Sequence, residues 1–150
     1  MCDRPYNSTD KNTFSIISGL MFLILSSPFS FSLTNGVTSR FGLKISNSEG
    51  VPNLAGVLIH GFVFVVLVRL FMDGKRNDCT KPYNSNDKWI VALIGGLLFI
   101  LLSSPFLYET INVFTSSFNF NTLDDNETPT IQGLILHSTI YALITRLLMR

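Results

Sequence analysis

His60 and His137 are the only histidines in a chain of 150 residues, and they stand 77 positions apart. Each follows a proline by eight residues (Pro52, Pro129) and precedes an arginine by nine (Arg69, Arg146). A helix rises about 1.5 Å per residue, so each imidazole falls about 12 Å from its proline and about 13 Å from its arginine. The residues between are almost all apolar. The rings are therefore expected near the middle of a bilayer, where an ionisable group is a functional hypothesis by default. Two chemistries fit. One is a proton-responsive pair, or two imidazoles lining a pore. The other is a neutral ring hydrogen-bonded across a helix interface, with Ser26, Ser27, Ser103 and Ser104 at comparable depth as partners. No Asp or Glu sits inside an apolar stretch, so a proton relay lacks its usual partner, which favours the second. Two histidines also make a poor zinc site, since zinc takes three or four protein ligands. No metal or other cofactor is expected.

The elements that must carry these histidines follow from the charge pattern. Charged residues make up 14% of the chain, against about 25% in an average soluble domain. They leave four uncharged runs: Asn12–Ser39 (28 residues), Gly50–Val68 (19), Trp89–Tyr108 (20) and Thr128–Thr145 (18). About 20 mostly apolar residues cross a bilayer as a helix. Four such runs exclude a soluble domain, a disordered chain and a disulfide scaffold. A net charge of +1 leaves no basic face for nucleic acid. The fold class expected is an all-α membrane protein with spans near 13–29, 52–72, 89–106 and 129–149.

The chain is also a tandem repeat. Residues 2–73 align without a gap on 79–150, with 26 identities in 72 positions. The copies 1–73 and 79–150, joined by a linker at 74–78, each hold two spans. The expected arrangement is two duplicated helical hairpins in parallel orientation, because an even number of spans returns the chain to its starting side. Parallel repeats differ from the inverted repeats that let a transporter expose its site to alternate sides.

Ser-Ser-Pro-Phe occurs near the end of both odd-numbered spans. Proline cannot continue a helix interior but suits the first position of a new one after a serine cap. Either Ser27 and Ser104 cap a second segment that bends away, or each span is one proline-kinked helix. Gly19, Gly56, Gly96 and Gly133 are expected to let helices approach closely. Lys11, Lys88, Arg69 and Arg146 are expected as interface anchors. Nine Lys and Arg fall on one side of the spans and two, Arg40 and Lys44, on the other. That asymmetry places both termini and the linker on the inner side.

Cys2 and Cys79 occupy equivalent positions on the expected inner side, where a reducing compartment argues against a disulfide. The repeated Pro-Tyr-Asn-Ser-x-Asp-Lys stretch reads as a turn and helix cap at headgroup level. No nucleophilic triad, paired carboxylates within a span, phosphate loop or metal spacing is present, so an enzyme is not expected.

The run Asp-Lys-Trp-Ile-Val-Ala-Leu-Ile-Gly-Gly-Leu-Leu-Phe, then Ser-Ser-Pro-Phe-Leu-Tyr, and later Pro-Thr-x-x-Gly-Leu-x-Leu-His with Arg-Leu-Leu-Met, spans Asp87 to Arg150. It resembles small hydrophobic membrane proteins of nucleocytoplasmic large DNA viruses. The resemblance implies a virus-encoded multi-pass protein of a membrane beneath an icosahedral capsid, and it transfers no catalytic residue. The function expected is that of a structural membrane protein linking a virion or virus-modified host membrane to an overlying shell. Its partners would be the lipid bilayer, other membrane or capsid proteins and further copies of itself, with no nucleic acid. The rival expectation is a small proton-responsive pore gated by His60 and His137.

Overall fold

The structure is a computed structural model that describes residues 8–73 and 85–149. The linker 74–78, Cys2 and Cys79 lie outside the described residues. Among those described, every regular element is helical: α1 Ser8–Leu25, α2 Pro28–Thr38, a 3-10 turn Ser39–Phe41, α3 Leu54–Asp73, α4 Ser85–Leu102, α5 Pro105–Ser116 and α6 Ile131–Leu148.

The serine-proline pairs decide between the two readings of the odd-numbered spans. Ser27 has extended backbone (φ −70°, ψ 144°), and its hydroxyl accepts from Ser30 N at 3.2 Å with Pro28 in the first turn. Ser104 does the same for α5, accepting from Leu107 N at 3.4 Å. Each proline thus starts a new helix, where its missing N–H leaves no gap in the ladder. The helices on either side of the break diverge by 57° in the first copy and 59° in the second. The stretches between the odd- and even-numbered spans therefore begin as α2 and α5 and continue as loops.

Two helices, Leu54–Met72 and Ile131–Leu148, are long and apolar enough to cross a membrane, and up to four segments do so if each bent pair is one span. The 20 residues of α3 rise about 30 Å, close to a bilayer's hydrocarbon thickness. Thr13 to Leu25 of α1 rises only about 20 Å, and the inclined α2 adds about 9 Å.

The four long helices form a ring in the order α1, α3, α4, α6. The closest partners are α3 with α4 and α1 with α6, so the tightest packing joins the two copies. Glycines permit it: a methyl at Gly19 would touch Ala142, and one at Gly96 would run into Val65. Four aromatic rings fill the centre. Phe22 meets Phe99 at 5.3 Å, and Phe64 meets Tyr141 at 5.4 Å, both across the diagonals. Phe22–Tyr141 at 5.1 Å and Phe64–Phe99 at 5.0 Å close the set. None of the four is more than 1% exposed. The outer faces are apolar instead, with Ile24, Phe62, Leu97 and Leu143 all exposed. A soluble domain rarely presents so much contiguous apolar surface, and a bilayer covers it.

Candidate functional site

Both histidines sit at the helix breaks. Leu25 ends α1, and the chain turns away at Pro28, so the Leu25 carbonyl loses the i+4 amide that a continuing helix would supply. His60, on α3, donates from Nδ1 to that oxygen at 2.8 Å. In the second copy His137 Nδ1 donates to the Leu102 carbonyl at 2.7 Å. A carbonyl only accepts, so the proton is on Nδ1 in both rings. The neutral ring then offers Nε2 as an acceptor. In lipid an unpartnered backbone group costs several kcal/mol. An imidazole is long enough to reach such a carbonyl from the neighbouring helix and remains apolar over most of its surface.

Each ring is also clamped from the far side of the break. His60 stacks on Phe31 of α2 with centroids 4.1 Å apart, and His137 stacks on Tyr108 of α5 at 3.7 Å and 1° between planes. His60 is 3% exposed and His137 fully buried. One difference separates them. Thr34 Oγ1 lies 3.1 Å from His60 Nε2, whereas the equivalent residue is Ile111 and His137 Nε2 is buried without a hydrogen-bond partner.

The serines expected as histidine partners do something else. Ser27 and Ser104 hydroxyls donate to Ile24 and Leu101 carbonyls at 2.8 Å each, and Ser103 to Phe99 at 2.6 Å. None of the four bonds a histidine, because the adjacent backbone carbonyl is nearer the ring and more in need of a donor. Of the glycines, Gly19 and Gly96 do lie between helices. Gly56 and Gly133 instead face loop backbone: a methyl there would strike the Ile45 or the Thr122 carbonyl. The anchors have diverged. Arg69 covers the Trp89 ring at 5.5 Å, Arg146 donates from Nε to Asn12 at 2.6 Å and from Nη to Ser8 at 3.3 Å, Lys88 is buried, and Lys11 is half-buried.

Sequence reasoning passed over a second device. The Asn35 side-chain oxygen accepts from Ile45 N at 2.8 Å and Ser46 N at 3.4 Å. Asn112 accepts from Thr122 N at 2.8 Å and Leu123 N at 3.2 Å. Each asparagine pins the returning loop to the bent helix. The signal was in the alignment: Asn35 and Asn112 are identical polar residues inside an apolar helical stripe. The returning loops share their turn geometry as well, with left-handed backbone at Gly42 (φ 79°) and Gly50 (φ 85°) matched by Asn119 (φ 56°) and Glu127 (φ 60°).

The arrangement is a set of backbone ties. Among the described residues, no three His, Cys, Asp or Glu side chains group to hold a metal ion. No family model, curated protein or solved structure matches the chain.

Proposed function

We propose that the chain is a non-enzymatic structural protein of a membrane, built as two duplicated hairpins in parallel orientation with both termini on the inner side. The observation that carries this reading is the closed axis. Phe22, Phe64, Phe99 and Tyr141 fill the centre of the bundle, and both histidines point at backbone carbonyls. A pore lined by His60 and His137 would need an open axis beside the rings.

In this reading the rigid bundle is the anchor, and α2, α5 and the loops after them are the contact surface. Phe29, Leu33, Val37 and Phe41 recur every four residues on the exposed side of the bent helix and the turn after it, and Phe106, Phe114 and Phe118 keep three of these four positions in the second copy, with Thr110 at the fourth. Such a stripe seats a helix in lipid near the interface, leaving the polar loops to meet an overlying protein shell. The likeness of residues 87–150 to small viral membrane proteins points to a virion or virus-modified host membrane, with capsid or other membrane proteins and further copies of the chain as partners. The test is fractionation of purified particles with crosslinking from an engineered lysine at Ser48. The chain is expected in the membrane fraction after an alkaline wash, crosslinked to a shell protein. Particles lacking it would overturn the reading.

A further inference from the structure

The two helix pairs that join the copies are equivalent by the repeat, yet their lipid-facing sides differ. On α3 and α4 the surface carries Phe62 and Trp89 over the buried Val65, with Arg69 lying over the Trp89 ring. The equivalent positions on α6 and α1 are Thr139, Ala142 and Asn12. These three exchanges remove bulk. The result is a groove of about 360 Å³ between α1 and α6, within the size range of small-ligand sites. Ile16, Leu20 and Leu143 form its apolar walls, and Ser15, Ser138 and Thr139 lie along it. It runs from Asn12 to Leu20, about 12 Å along the helix, or most of one leaflet's hydrocarbon depth.

Arg146 closes the groove at the end where α1 begins and α6 finishes. Its two hydrogen bonds go to neutral side chains, Asn12 and Ser8, one turn apart on α1. A guanidinium has five N–H donors, so it is held in place with donors to spare. Where its counterpart Arg69 is capped by an indole, Arg146 stands at the groove mouth as a fixed positive charge.

We propose that this groove binds one phospholipid, with an acyl chain along α1 and α6 and an anionic headgroup phosphate on Arg146. The occupant is lipid because charge sits only at the end and the rest of the groove is uncharged, with Ile16, Leu20 and Leu143 as hydrocarbon walls, which matches one headgroup and one chain. The inference rests on the membrane reading above. That reading is tested separately by retention after an alkaline wash, before any lipid is added.

The probe is a mixture of equal parts phosphatidylglycerol and phosphatidylcholine, offered to the full chain in detergent and read by native mass spectrometry. Wild type is expected to retain phosphatidylglycerol about fivefold over phosphatidylcholine, the factor one basic residue supplies near an anionic surface. Arg146→Gln should bring the ratio to about one, and Arg69→Gln should leave it unchanged. The double change Asn12→Trp with Thr139→Phe copies residues the other half already carries, and it should fill the groove, abolishing lipid retention while preserving the thermal midpoint. Five outcomes overturn the proposal, four of them read from the lipid ratio and its competition. Those four are equal retention of the two lipids, equal loss with Arg69→Gln, unchanged retention in the filled variant, and competition by free glycerol phosphate as effective as by the lipid. A dimer that the filled variant converts to monomer, with lipid retention unaltered, would assign the groove to a second copy and overturn it as well.

Discussion

His137 Nδ1 stands 2.7 Å from the Leu102 carbonyl oxygen, and 77 residues earlier His60 Nδ1 stands 2.8 Å from that of Leu25. The duplication has thus kept a donor opposite a carbonyl that each serine-proline break strips of its amide. Replacing His137 with Leu keeps most of the bulk and removes the donor. His137→Leu is expected to destabilise the bundle by about 1–3 kcal/mol, the cost of stranding a buried polar group. Thermal unfolding in detergent measures it. A midpoint equal to wild type would remove the tie from the account.

The partnerless Nε2 of His137 offers the converse experiment. Thr34 supplies a hydroxyl at 3.1 Å to His60, and Ile111 holds the equivalent position. Ile111→Thr should supply the same hydroxyl in the second copy and raise stability by about 1 kcal/mol, the net worth of one hydrogen bond. The reverse change, Thr34→Ile, should lower it by a similar amount. Paired denaturation curves give both values.

Gly133 is required by the Thr122 carbonyl packed on it, while Gly36 on α2 has open space around it. Gly133→Ala should cost about 1–3 kcal/mol through displaced backbone. Gly36→Ala should be neutral or stabilising by up to about 1 kcal/mol, as for an ordinary helix position. The same unfolding assay separates them, and equal effects would contradict the loop packing.

Glu127 holds left-handed backbone (φ 60°) where the first copy has Gly50. A residue with a Cβ pays about 1–2 kcal/mol in that conformation. Glu127→Gly should therefore raise stability by about 1 kcal/mol after allowing for the looser unfolded chain. A decrease would mean that the glutamate makes a contact worth more than the strain.

Much of this was legible in the residues. The four uncharged runs and the 77-residue offset made the helical class and the positions of the long helices readable, because a helix that is apolar all round meets lipid or packed protein on every side. The bend at Ser27-Pro28 was legible as one of two readings, since proline tolerates either a kink or a fresh start. What decided it was the serine cap, a matter of backbone angles. The histidine partners were misassigned for a different reason. Sequence displays side chains, so Ser26, Ser27, Ser103 and Ser104 stood out. An orphaned carbonyl has no letter, and it follows only from where a helix stops. The aromatic centre was equally hidden, because Phe22, Phe64, Phe99 and Tyr141 do not differ in type from the phenylalanines that face lipid.

The central claim, that His60 and His137 hold backbone within a closed bundle and conduct nothing, is tested most directly by proton flux. Purified chain in liposomes loaded with a pH-sensitive dye should match protein-free liposomes at every external pH between about 5 and 8, the range in which histidine ordinarily titrates. A flux that grows on acidification and disappears in the His60→Leu, His137→Leu double variant would contradict the account.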